Sequence, residues 1–159
     1  MYEYDKEALF QWHYGETKEE ADRIASEILD GKRKAIIRYF EVNFVEGPTQ
    51  EECYYYSNDR LQELLSDNRD MYPKAGDINI LTDWDGQEQC VIRTKGFGLM
   101  HFGDIPMEVA ELECGDTDLE VWQKRKSEEL LEILPTSAVH AKTILSIEIV
   151  EVLEKLFHH

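Results

Sequence analysis

The densest set of chemically capable side chains is a run of four cations, Lys32, Arg33, Lys34 and Arg38, in an otherwise acidic chain. Such a run can neutralise phosphate, lysine as a point charge and arginine as a planar fork that engages two oxygens at once. A second basic run, Lys124-Arg125-Lys126, stands alone in the C-terminal third. The ordinary alternative for both is solvation at helix ends and surface ion pairing. Nucleophiles and bases are sparse. Cys114 has Glu113 and Asp116 as neighbours, whose charges raise a thiol pKa and work against the thiolate. His101 is a general base by type, but a lone histidine beside a strand is more often packed or hydrogen-bonded than catalytic. Cys53, Cys90 and Cys114 lie far apart with no C-x-x-C, so neither a disulfide framework nor a zinc site is expected, and no metal or cofactor is. The phosphate-loop, dinucleotide, H-E-x-x-H and G-x-S-x-G fingerprints are all absent, and Gly96-Phe97-Gly98 reads as a bulge or sharp turn.

The charge balance restricts what these cations can do. Thirty-four acidic residues against 17 basic ones give a formal net charge of −17. Sequence-independent nucleic-acid affinity comes from Lys and Arg displacing counterions, so a global field of this sign requires any RNA contact to be local. Hydrophobic residues at 42% and aromatics at 11% are enough to bury a core in 159 residues, the size of one domain. The longest apolar runs fall far short of the roughly 18 residues of a membrane helix. The N-terminus is acidic where a signal peptide is basic, which makes a cytoplasmic protein the expectation. His158 and His159 at the C-terminus are assigned no function.

Several elements must position these residues. Thr17-Lys18-Glu19-Glu20 fits a capping box, and Ala21, Ile24, Ala25, Ile28 and Leu29 follow at the spacing of one buried helical face, with Gly31 as the left-handed stop. The basic run then leads into Ala35 to Val42, rich in β-branched and aromatic residues, which reads as a central strand. Residues 46–72 are polar and acidic with a short helical pattern at Leu61, Leu64 and Leu65, and read as an inserted loop with a helix. Ile78 to Thr82 and Glu88 to Thr94 flank the Asp85-Gly86 turn of a hairpin, and Phe97 to Phe102 is expected to form a further short strand. Pro106 opens one helix and Asp118 precedes another, with Leu119, Trp122, Leu130, Ile133 and Leu134 as its apolar positions. Ile144 to Leu153 alternates, with Leu145, Ile147 and Ile149 on one face and Ser146, Glu148 and Val150 on the other, as a closing strand does. With no repeat and no second boundary, residues 1–159 read as a single α+β domain, in the form of a small barrel.

The order Trp12-His13-Tyr14-Gly15, helix, Gly31-Lys32-Arg33-Lys34-Ala35, Pro73-Lys74-Ala75-Gly76-Asp77, then Gly115-Asp116-Thr117-Asp118-Leu119-Glu120-Val121-Trp122 resembles the ASCH domain family. The resemblance runs from Trp12 to Leu153 and implies a PUA-like β-barrel of mixed and antiparallel strands flanked by helices. It also implies ties to RNA binding and relatives that act as N4-acylcytidine amidohydrolases or ribonucleases. In amidohydrolase-type members the segment after the first helix reads G-x-K-T-x-T, its Lys and second Thr lining the active site with a downstream Glu. Counting from Gly31 puts Arg33 at the lysine, Lys34 at the first threonine and Ile36 at the second; shifting by one puts Ile37 at that threonine. Arginine stays protonated where a lysine can be tuned toward neutrality, and isoleucine has no hydroxyl to attack an acyl carbon. Cys114 falls where the family has a glutamate, which leaves Glu113 as the nearest carboxylate.

The expectation is therefore an ASCH-domain protein that binds RNA or a nucleotide or nucleoside ligand through Lys32, Arg33, Lys34 and Arg38, without the amidohydrolase set and more a binder than an enzyme. Trp12 and Tyr39 are stacking surfaces in that reading and core residues otherwise. An amidohydrolase or ribonuclease rearranged around Lys34 and Glu113 is the alternative. A third reading is a protein partner held by the 46–72 segment, through Tyr54, Tyr55 and Tyr56.

Overall fold

The computed structural model describes residues 4–114 and 118–157, with Cys114 as main chain only. Gly115, Asp116 and Thr117 of the G-D-x-x-L-E-x-W segment, the Cys114 side chain considered as a nucleophile, and His158 and His159 lie outside the described residues. Five strands form one mixed sheet: β1 (Gln11–Trp12), β2 (Ala35–Tyr39), β3 (Ile78–Thr82), β4 (Glu88–His101) and β5 (Ile144–Lys155). Their order is β1-β3-β4-β5-β2; β1 and β3 are parallel and every other pair is antiparallel. Four helices accompany them: α1 (Lys18–Leu29), α2 (Asn58–Asp67), α3 (Met107–Cys114) and α4 (Leu119–Leu131).

The local chemistry of the first helix is as read from the sequence. The Thr17 hydroxyl accepts the Glu20 amide at 3.2 Å, Ala21, Ile24, Ala25, Ile28 and Leu29 are buried, and Gly31 takes φ +79° just past the end. The Asp85-Gly86 turn joins β3 to β4, Gly86 at φ +87°. The expected pair of strands over residues 88–102 is instead one 14-residue strand, β4. It is interrupted by a register shift between Thr94 and Gly96, the place where the sequence resembles a break. That extra residue changes which side chains share a face, so Thr94, Phe97 and Leu99 all look the same way.

The expected closed barrel is not what forms: β1 and β2 are opposite edges of an open sheet. β3 covers β4 only from Glu88 to Arg93, and the free edge beyond is taken by α2. Gln62 accepts the Leu99 amide at 2.8 Å, Asn58 accepts the His101 amide at 3.1 Å, and Arg69 donates to the Phe97 carbonyl at 3.4 Å. Alternate main-chain groups that a further strand would pair are met by side chains, which satisfies the edge without closing the sheet. Gly98 is a glycine for the same reason, since a Cβ there would lie 2.8 Å from the Gln62 amide nitrogen.

Three apolar clusters result. On one face Ala35, Ile37, Leu145 and Ile147 pack with Trp122, Leu130 and Ala110 of α3 and α4. The other face carries two. Ile36, Ile92 and Val150 lie with α1, while Phe40, Leu99 and Ile144 lie with Leu61, Leu64 and Leu65 of α2. The segment read as an inserted loop is therefore part of the core, and of its three adjacent tyrosines only Tyr55 stands fully out, at 91% exposure, while Tyr54 and Tyr56 pack against the α2 cluster.

Candidate functional site

The four cations of the first basic run do not share one surface. Lys32, Lys34 and Arg38 are exposed, whereas Arg33 is 5% exposed and turns inward, its guanidinium 3.0 Å from Glu27 and 3.8 Å from Glu113. The fold of the α1–β2 connection dictates this, because the amides of both Lys32 and Arg33 return to the Glu27 carbonyl and the Lys34 amide goes to the Leu112 carbonyl. Arg33 is thus committed to carboxylates of the protein itself.

Glu113 is the centre of that commitment. Its carboxylate is 1% exposed and accepts four hydrogen bonds, from Trp122 Nε1 (3.1 Å) and Arg125 (3.1 Å) on one oxygen and from the Ile37 amide (3.0 Å) and Lys126 Nζ (2.8 Å) on the other. Burial pushes this carboxyl up, but Lys126, Arg33 and Arg125 outweigh it and hold it below its ordinary 4.5. Lys126 is equally occupied, with bonds at 2.7 Å to the Ile37 carbonyl and 2.8 Å to Glu129 besides Glu113. A carboxylate with four bonds has no lone pair left to act as a base. No bond joins Lys34 to Glu113, so the rearranged Lys34–Glu113 pair is not assembled. The cluster ties α3 and α4 to β2 and holds the second basic run, of which only Lys124 faces outward, beside a cavity of about 360 Å³ lined also by Gln123, Ser127 and His140.

His101 is not a base either. It is 1% exposed, and both ring nitrogens are held against main-chain carbonyls, Nδ1 at 2.8 Å from Lys142 and Nε2 at 2.7 Å from Tyr56. Among the described residues no group of three His, Cys, Asp or Glu side chains is placed to hold a metal. Trp12 and Tyr39 are both partly buried against the apolar clusters.

A second polar cluster is one that sequence reasoning missed. Between the α1 and α2 clusters, on the same sheet face, runs a strip made of Thr94 (β4), Ser146 and Glu148 (β5) and Arg38 (β2), with Tyr14 against its α1 end. Ser146, Glu148, Thr94 and Tyr14 are all at most 4% exposed. Thr94 donates its hydroxyl to Glu148 at 2.9 Å, and the Arg38 guanidinium sits 5.6 Å from the centre of the Tyr14 ring. Burial pushes the Glu148 carboxyl above its ordinary value and Asp77 adds to this, against the pull of Thr94, Tyr14 and Arg38. Burial likewise drives the Tyr14 hydroxyl well up, with Glu148 beside it. Alternation in β5 put Ser146 and Glu148 on one face; that this face is a buried polar strip needed Thr94 and Tyr14, which lie over 50 and over 130 residues away.

The strip brings one hydroxyl, that of Thr94, into a hydrogen bond with a buried carboxylate, that of Glu148, and Arg38 lies exposed at its mouth. The family model for the ASCH domain matches residues 57–133. That span starts at Ser57, the N-cap of α2, so the 46–72 segment contributes its helix to it. Two crystal structures share the fold. One is protein EF3133 from Enterococcus faecalis, of family DUF984, 20% identical with a TM-score of 0.59 over 95% of this chain and 84% of that one. The other is an ASCH domain from Lactobacillus crispatus, 19% identical with a TM-score of 0.58 over 92% and 80%. No curated protein matches the sequence. No helix among the described residues is long and apolar enough to cross a membrane.

Proposed function

With an ASCH domain recognised over residues 57–133, we propose that this chain binds RNA or a nucleotide-like ligand through the local cations Lys32, Lys34 and Arg38. The observation that carries this reading is Arg38: a surface guanidinium without an ion-pair partner, stacked over Tyr14 at the mouth of a buried polar strip. Lys32 and Lys34, likewise without ion pairs among the described residues, stand at the start of the same strand. In a chain of net charge −17, cations left unpaired beside polar, buried groups are where a phosphate can be held locally. Arg33 supports the surface from beneath rather than meeting the ligand.

The test is fluorescence anisotropy of a short labelled single-stranded RNA at several salt concentrations, with the K34E/R38E double variant as comparison. Binding should be lost in the variant. In the single variants K34Q and R38Q the slope of log affinity against log salt should shrink by about 0.7 for each phosphate contact removed. An unchanged affinity in the folded double variant would sink the assignment.

A further inference from the structure

The cavity of about 360 Å³ beside Lys124 belongs to neither polar cluster described above. It lies on the α3 and α4 face of the sheet, opposite the polar strip, and its volume falls within the range of about 300–1,000 Å³ of small-molecule sites. The main chain builds it. The Phe102 amide donates to the Thr143 carbonyl at 2.7 Å and the Gly103 amide to the Ala141 carbonyl at 2.8 Å, which closes the end of β4 against the loop before β5. The approach is so close that a Cβ on Gly103 would lie 2.8 Å from that of Ala141. Phe102 is buried against the Trp122 ring, centroids 5.8 Å apart, and with Val139 it supplies a fixed apolar wall.

Four polar side chains line the same cavity. Gln123, Lys124 and Ser127 come from α4 and His140 from the loop. The Gln123 amide, the Lys124 ammonium and the Ser127 hydroxyl have no hydrogen-bond partner among the described residues, and neither has Nε2 of His140. The histidine ring is nevertheless held in place. Its Nδ1 accepts the Lys142 amide at 3.1 Å, its own amide donates to the Thr143 hydroxyl at 2.9 Å, and Tyr54 packs perpendicular to it at 4.8 Å. With Nδ1 accepting, the proton of the neutral ring is on Nε2, which therefore donates. Lysine only donates, while the serine hydroxyl and the glutamine amide supply donors and acceptors. Donors thus dominate around a single positive charge.

We infer that this cavity is a second ligand site, for a small organic monocarboxylate. Lys124 neutralises the carboxylate, Gln123, Ser127 and His140 donate to its oxygens, and the apolar body lies on Phe102 and Val139. A phosphate ester brings a second charge, which one cation in a chain of net charge −17 does not match. The inference does not rest on the nucleotide-binding reading.

Its test uses four probes titrated into the full chain by ligand-observed NMR. Benzoate carries ring and carboxylate, benzamide the ring without the charge, acetate the charge without the ring, and phenyl phosphate the ring with a second charge. Benzoate should bind saturably and at least about tenfold more tightly than each of the others. K124Q, at an exposed position, should weaken benzoate to the level of benzamide, and S127L should abolish its binding by filling the cavity, with circular dichroism confirming that each variant is folded. No saturable benzoate binding at millimolar concentration, or binding that K124Q leaves unchanged, overturns the site. Benzamide binding as tightly as benzoate, or phenyl phosphate binding more tightly, overturns the carboxylate assignment.

Discussion

Two buried glutamates take opposite roles because of what surrounds each. Glu113 faces three cations and has every lone pair filled, so its charged form is favoured in the fold. Glu148 is buried, with Asp77 nearby, and this outweighs the Thr94 and Tyr14 hydroxyls and the Arg38 charge, so its charged form is disfavoured. The signs of their pH responses follow. A carboxyl held below 4.5 contributes stability that is present above that value and is lost as pH falls through the lowered one. A carboxyl raised above 4.5 contributes stability that is present below that value and is lost as pH rises through the raised one. Urea unfolding from about pH 8 down to about pH 2 should therefore show E113Q destabilised by about 3–5 kcal/mol at neutral pH, since it strands buried cations, with the deficit narrowing only below the ordinary carboxyl value. E148Q should be more stable than wild type at neutral pH and lose that advantage in acid. Parallel pH profiles for the two variants would contradict this account of the sites.

Among the elements, α2 is the one whose role differs most from its composition. The polar 46–72 segment has the look of an insertion, yet it seals β4 through Asn58 and Gln62 of its helix and Arg69 of the turn that follows, and it buries Leu61 and Leu65 completely. Removing residues 46–72 should leave no folded domain to assay, because it uncovers both the apolar cluster and a strand edge; a soluble, cooperatively melting deletion variant would show the segment to be peripheral. Leu61→Ala is the gentler form of the same test and should cost about 2–5 kcal/mol in urea unfolding. What was legible beforehand was local: the capped α1 with its buried face, the Asp85-Gly86 hairpin, the alternation of β5. What was not legible depended on distance. β1 is two residues that become a strand only by pairing with β3, and the bulge near Lys95 resembles a break unless β5 is there to carry the ladder through. Of the candidate site, Lys32, Lys34 and Arg38 are exposed, as either ligand binding or surface solvation of the basic run has them. The inward turn of Arg33 did not follow from it, because Glu27 and Glu113 meet that side chain only once α1 and α3 are packed.

At the scale of the whole molecule the cations are unevenly spent. Arg33, Arg125 and Lys126 converge on one carboxylate, and Lys6, Lys18, Arg60 and Arg93 each pair with an acidic neighbour. The net charge of −17 is therefore an excess of surface carboxylates, which repel one another in the compact state more than in the unfolded chain. Salt should act on the two properties of the protein in opposite directions. Raising ionic strength from 0.01 to 0.15 M shortens the screening length from about 30 to about 8 Å, which relieves repulsion across the surface. The melting temperature of the free protein should rise over that range, while affinity for single-stranded RNA at Lys34 and Arg38 falls as counterion release loses its advantage. A melting temperature that falls with salt would mean that the exposed ion pairs outweigh the surplus carboxylates. An RNA affinity that does not fall would mean that the contact is not made by these cations. Opposite slopes would place binding in a local patch of one sign on a molecule whose overall field has the other, as the charge count requires of any polyanion ligand for this chain.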